Sequence, residues 1–253
     1  MTTAERRLIV NADDLGRTQG INEGTFEAHT LGLVTSATLM VAYPAAQDAA
    51  AHWARYPDLG VGLHVALTGG SPVLPPSQVP SLVDEQGRLP AKPEGLAGAA
   101  PAEIRAEVRA QFDRFRQLTD RLPTHLDSHH HSHRLPEVCQ QLIQLAEQWR
   151  LPVRMASPQV SRSLRQAGIA TSDAFVEDFF GDGATLEVLL RILQELEPGV
   201  TEMMCHPAHV DDELRRDSSY TDERERELGV LTHPDVRQAL EDAGIHLTHF
   251  GKL

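Results

Sequence analysis

Short apolar runs alternate with amphipathic stretches along the whole chain. Residues 7–12 centre on Leu-Ile-Val, residues 34–42 (VTSATLMVA) are rich in β-branched side chains, and residues 59–65 (LGVGLHV) form a third run of strand type. Further strands are expected at 123–127, 153–156, 174–179, 200–206 (VTEMMCH) and 245–250. Between them the apolar positions change to helical spacing. Ile104, Val108, Phe112, Phe115 and Leu118 recur on one side of a helix opened by Pro101, and Val138, Leu142, Leu145 and Trp149 do the same after Pro136. Other helices are expected over 21–31, 44–56, 161–166, 185–196, 220–231 and 235–243. Residues 220–231 are so charged that the helix is expected to lie solvated over the barrel mouth, and Glu103, Glu107 and Asp113 are expected on the solvated side of theirs.

Strand and helix in regular alternation predict a parallel sheet, and seven or eight such units predict an α/β fold closed, or nearly closed, as an irregular (β/α) TIM-like barrel. No linker divides the chain, so residues 1–253 are read as one domain. One stretch breaks the pattern. Residues 68–101 carry Pro72, Pro75, Pro76, Pro80, Pro90 and Pro93 with no period of either kind, which suggests a lid or substrate wall, with a disordered insertion as the alternative.

In parallel barrels the chemistry sits at the C-terminal ends of the strands. Asp13 and Asp14, His64, His129 and His206 fall there, on the first, third, fourth and seventh expected strands. His129 belongs to the densest cluster, THLDSHHHSH over 124–133, with five histidines in ten residues. If that segment continued as a strand, His125, Asp127, His129, His131 and His133 would share one face, with His130 on the other. A catalytic divalent ion commonly takes three ligands from His and Asp/Glu. Asp14, His64 and His129 would supply them, Asp13 would remain as a base toward water, and His206 could protonate a leaving amine. Two imidazoles suit Zn²⁺ better than Mg²⁺, and the choice between Mg²⁺ and Zn²⁺ stays open.

Composition narrows the partners. With 41% hydrophobic and 23% charged residues the chain suits a water-soluble core-forming protein, and a formal charge of −13 without a basic stripe argues against nucleic acid. No stretch is long and apolar enough for membrane insertion, and MTTAERRLIV lacks a signal peptide's apolar region, so a cytoplasmic location is expected. Cys139 and Cys205 suggest no disulfide framework. Two Trp and three Tyr offer few aromatic platforms for stacking a long ligand.

Residues 8–16 (LIVNADDLG), 20–24 (GINEG), 34–36, 62–64, 124–133 and 204–208 (MCHPA) together resemble the YdjC-like carbohydrate deacetylases, which include chitooligosaccharide deacetylase. The resemblance implies a NodB-like deacetylase barrel that uses one divalent metal ion to remove acetyl groups from small N-acetylated sugars, and it leaves a homodimer open. By motif position it implies Asp13 as the catalytic base, Asp14, His64 and His129 as metal ligands, and His206 of the His-Pro motif as the acid. Arg154 looks like the arginine that orients the base in NodB-type relatives. Leu15 stands where the family usually has Phe, and residues 71–82 look nearer to members associated with hopanoid biosynthesis. Two rivals remain: a metal-dependent phosphoesterase or amidohydrolase of another barrel lineage, and a non-catalytic metal- or sugar-binding protein.

Overall fold

The computed structural model describes residues 5–253; the first four residues of the MTTAERRLIV segment lie outside the described residues. Seven strands form one parallel sheet: β1 (Arg6–Leu15), β2 (Ser36–Leu39), β3 (Gly60–Val65), β4 (Leu126–Ser128), β5 (Ala174–Val176), β6 (Gly199–Cys205) and β7 (Ile245–Leu247). The ladder runs β4-β3-β2-β1-β6-β5, and β7 pairs with β1 at Arg6–Leu8. The strand expected at 153–156 is reduced to a single bridge between Val153 and Leu126. The sheet therefore curls as a partial barrel, open between that bridge and β5, rather than closing with eight strands. The nine helices of the described residues are α1 (Gln19–Thr30), α2 (Ala46–Trp53), α3 (Pro101–Thr119), α4 (Pro136–Trp149), α5 (Pro158–Gln166), α6 (Leu186–Glu195), α7 (Asp212–Asp217), α8 (Asp222–Leu231) and α9 (Pro234–Ala243).

Strand alternation explains which side chains reach the inside. Leu8, Val10 and Ala12 of β1, Val61, Leu63 and Val65 of β3, and Met203 and Cys205 of β6 join the main apolar core. The alternate residues turn inward. Ile9, Val200 and Phe250 plug the bottom of the barrel, with His125 stacked on Phe250 at 4.0 Å between ring centroids. Above them the interior is polar and wholly buried: Asn11, Thr38, Glu202, Asp127 and Arg154. Cys139 and Cys205 are free and buried, and among the described residues no helix is long and apolar enough to cross a membrane.

Residues 68–101 are not a disordered insertion. Two 3₁₀ turns, Pro76–Gln78 and Pro93–Leu96, punctuate them, and Val79, Leu82, Leu89 and Leu96 join the main core. Glu107 of α3, expected in solvent, is fully buried, and its carboxylate accepts the backbone N–H groups of Val73 and Leu74 at 2.8 and 3.0 Å. Charge on that face of α3 therefore serves to seat the loop. α8 departs from expectation in the same way: Arg224, Glu227, Leu228 and Leu231 are buried, so one side of this charged helix faces inward.

Candidate active site

Strict alternation would send Asp13 and Asp14 to opposite faces of β1. The β1–β2 register shifts between Ala12 and Leu15, where three steps along β1 match two along β2. This is a β-bulge, and Asp14 sits in it with a left-handed φ of 68°. The extra residue turns Asp14 back toward the strand ends. Both aspartates are buried and both lie at the mouth of the barrel. Past the bulge, Asn22 of α1 accepts the Gly16 N–H at 2.7 Å and fixes the exit of the chain. Gly24 on the same helix lets it press against the loop after β6, since a Cβ there would stand 2.5 Å from Ala208 Cα.

His64, next to last in β3, lies beside Asp127 of β4 in direct register. Its Nδ1 lies 2.8 Å from Asp127 Oδ1, and the Thr38 hydroxyl donates to Asp127 Oδ2 at 3.1 Å. A carboxylate on Nδ1 holds the ring proton there and turns the Nε2 lone pair outward, the usual second-layer arrangement of a metal-binding histidine. That Nε2 lies 3.5 Å from Asp14 Oδ1, and His129 Nδ1 lies 3.1 Å from the same oxygen.

Asp14 Oδ1 is buried yet accepts no hydrogen bond. Ligand atoms about 2.0–2.1 Å from a tetrahedral ion stand about 3.3 Å apart, and the two separations bracket that value. The donor set and the orphaned oxygen thus fit one divalent cation held by Asp14, His64 and His129. A second trio, Asp13, His64 and Asp127, is also close enough to converge on an ion. There, however, the Arg154 guanidinium already stands between the two carboxylates, 2.7 Å from Asp13 and 3.0 Å from Asp127, so the positive charge is supplied by the chain.

Arg154 is fully buried and held on three sides. Its Nη1 and Nη2 donate to the two oxygens of Asp13, each at 2.7 Å, and its Nε donates to Glu202 at 2.8 Å. Asn11 donates to Asp13 as well, at 2.8 Å. Burial pushes the Asp13 carboxyl up, but the adjacent guanidinium outweighs it and holds Asp13 well below the usual carboxylate range. Asp14 is likewise lowered, against burial, by Arg224, whose Nη2 lies 2.6 Å from Oδ2, and by His129. Burial would depress His64, yet Asp127 and then the other two aspartates carry it up to about 10. His129 is lowered by burial despite Asp14. Glu202 is pushed up to about 7, because burial exceeds the pull of Arg154.

The histidine run does not continue as a strand. β4 stops at Ser128, and residues 129–134 coil into a 3₁₀ turn with His130 and His131 at φ of 52° and 50°. His125 and Asp127 share the inner face as expected, but His125 lies at the barrel floor. His133 accepts or donates only structurally, between Ser128 and the Arg154 carbonyl, and His131 points toward Glu177 at 3.7 Å. Of this cluster, the structure brings His129 and, through His64, Asp127 to the site.

His206 follows the last residue of β6. Its backbone N–H donates to Glu227, which also accepts from the Tyr220 hydroxyl, and its ring Nδ1 lies 3.8 Å from Glu227 without a hydrogen-bond partner. The structure thus gathers Asp13, Asp14, His64, His129 and Arg154 around one mouth, with His206 near enough to act electrostatically on Asp13, and adds five that sequence reasoning missed: Asn11, Thr38, Glu202, Arg224 and Glu227. Arg224 and Glu227 had a signal, since they share the spacing of Leu228 and Leu231 along α8. Glu202 had one too, as a lone acid on the inward phase of an apolar strand.

The sequence is 44% identical over 243 residues, 96% of either chain, to the carbohydrate deacetylase of Geobacillus stearothermophilus. It is 39% identical to the chitooligosaccharide deacetylase of Serratia marcescens, covering 98% of this chain and all of that one. Among solved structures, an Enterococcus faecalis protein named for cellobiose-phosphate cleavage superposes with a TM-score of 0.94 at 33% identity, over 98% of this chain and 99% of that chain. A family 4 acetyl xylan esterase from Clostridium thermocellum shares the fold at a TM-score of 0.53 and 10% identity, over 98% and 89% of the two chains. The model of the YdjC-like proteins matches residues 7–242, and with relatives this similar along nearly its whole length the chain belongs to that family.

Proposed function

We propose that the chain is a single-domain, metal-dependent carbohydrate N-deacetylase that hydrolyses the acetamide of a small N-acetylated sugar. The observation that carries this reading is Asp13, an ionised carboxylate held next to the Asp14-His64-His129 trio by Arg154 and Asn11. The relatives named for carbohydrate and chitooligosaccharide deacetylation supply the substrate class. Asp14, His64 and His129 would hold a divalent ion, Zn²⁺ or Mg²⁺, which when bound supplies a Lewis acid for the acetamide carbonyl and for water.

The chain's own residues divide the proton transfers. Asp13 takes a proton as water adds to the carbonyl carbon, and Arg154 keeps its carboxylate oriented toward that water. His206, free at Nδ1 and anchored through its backbone by Glu227, gives a proton to the sugar nitrogen as the C–N bond breaks, releasing acetate and the amine. Such positioned acid–base groups contribute roughly a hundred- to ten-thousandfold each. Residues 68–101 form a fixed wall beside His129, with Thr68 on His130 and Gly69 near the His129 ring.

Asp13→Asn tests the assignment, because it keeps shape and removes the base. Acetate release from N-acetylglucosamine and its disaccharide should fall by at least about a hundredfold, with the metal content unchanged. Wild-type turnover by this variant would refute the role of Asp13. The phosphoesterase rival expects two ions per chain; Arg154 in the place of a second cation favours one, and metal analysis of the same sample decides.

A further inference from the structure

Aromatic side chains are scarce here, and all but one are buried or partly buried. Among the described residues five large apolar side chains are conspicuously exposed, Leu31, Leu122, Phe180, Leu247 and Leu253, and Phe180, at 44%, is the single aromatic. It is also the one of the five that lies beyond the C-terminal end of a strand at the candidate site, after β5. Its neighbour Phe179 is fully buried. A single exposed apolar side chain is ordinary; what sets Phe180 apart is that its ring is fixed beside His206.

The ring is held in place. One face of Phe180 stacks on Tyr220, with centroids 4.3 Å apart and planes 11° from parallel. Its edge meets His206 at 5.4 Å and 65°. Tyr220 is fixed in turn: its hydroxyl accepts the Gly181 N–H at 2.9 Å and donates to the buried Glu227. The residue after Phe180 and the ring beneath it are thus tied to the same carboxylate that anchors His206. With Tyr220 covering one face, the exposed area belongs to the other face and the outer edge, next to the proposed acid.

We propose that Phe180 is the platform on which a second sugar ring stacks, adjoining the ring whose acetamide is hydrolysed, so that disaccharide-sized substrates are preferred over monosaccharides. The axial C–H faces of a pyranose present apolar surface that a rigid aromatic covers, while the sugar hydroxyls stay in water. A single platform matches a single additional ring. The idea rests on the deacetylase reading above for the placement of the reacting ring.

The test compares wild type, Phe180→Ala and Phe180→Trp. Steady-state acetate release is measured from N-acetylglucosamine and from N,N′-diacetylchitobiose, and binding of each sugar is measured by calorimetry on the Asp13→Asn background. Phe180→Ala should raise the disaccharide's KM and Kd about tenfold more than the monosaccharide's, equivalent to about 1.4 kcal/mol, and Phe180→Trp should restore most of it. Equal effects on both sugars, or a fall confined to kcat, would overturn the platform in favour of an indirect action on His206. If wild type releases no acetate at all, the deacetylase reading fails separately, and the calorimetric comparison still decides on Phe180: an unchanged disaccharide Kd in Phe180→Ala sinks it.

Discussion

Replacing Glu202 by glutamine removes a buried carboxyl while preserving its shape and its acceptor for Arg154 Nε. The group titrates at about 7 in the folded protein against a reference of 4.5. Between those two values the folded chain keeps a proton that the unfolded chain has released, so the wild type loses stability as pH rises through the window. A gap of about 2.5 pKa units, at 1.36 kcal/mol each, amounts to about 3 kcal/mol once the pH exceeds 7. Glutamine has no proton to lose, so the difference between the two proteins isolates this one site from Asp13 and His64. For a chain of this size about 3 kcal/mol corresponds to roughly 6–12 °C in Tm. Melting both proteins with chelator from pH 4.5 to 8 should show Glu202→Gln gaining on the wild type steadily up to about pH 7 and then running parallel. Curves parallel throughout, or a wild type that gains with pH relative to the variant, would show that Glu202 is ionised over the whole range and that Arg154 outweighs its burial.

Asp127→Asn should weaken divalent-ion binding about 10- to 100-fold, because Asp127 no longer holds the His64 proton on Nδ1; equilibrium dialysis against a metal indicator reads the loss. His64, carried up to about 10 by its carboxylates, is protonated at neutral pH until a cation displaces the proton. Ion binding should therefore release about one proton and tighten about tenfold per pH unit between pH 6.5 and 9, which calorimetry in buffers of different ionisation heat will show; a pH-independent affinity would contradict the assignment of His64 as a ligand.

The residues that were legible from sequence share one property: they stand at strand ends, where topology alone predicts convergence. Asp13, Asp14, His64, His129 and His206 could be placed that way because the α/β alternation reveals the C-terminal ends even when strand lengths are misjudged. Arg154 came only from resemblance, since its strand is a one-residue bridge with too little apolar pattern to reveal an inward phase. Arg224 and Glu227 were hidden by a simple rule, that charge belongs in solvent, which fails where charges find buried partners: Arg224 an ion pair with Asp14, Glu227 hydrogen bonds from Tyr220 and the His206 amide. The histidine run misled for a local reason. Period-two reasoning requires extended backbone, and β4 ends after three residues, with His130 and His131 turned left-handed immediately afterwards.

The offset in β1 separates two outcomes by a single amino acid. Only Asp13 and Asp14 lie between Ala12 and Leu15, so a version of this protein shortened by one residue there would restore plain pleating and lose one of the two neighbouring acids with it. The proposed cation ligand and the proposed base could then no longer coexist on that strand. Loss of catalysis in such a lineage would need only the disappearance of one position in the count, because the extra residue of the bulge and one of the paired acids are the same position.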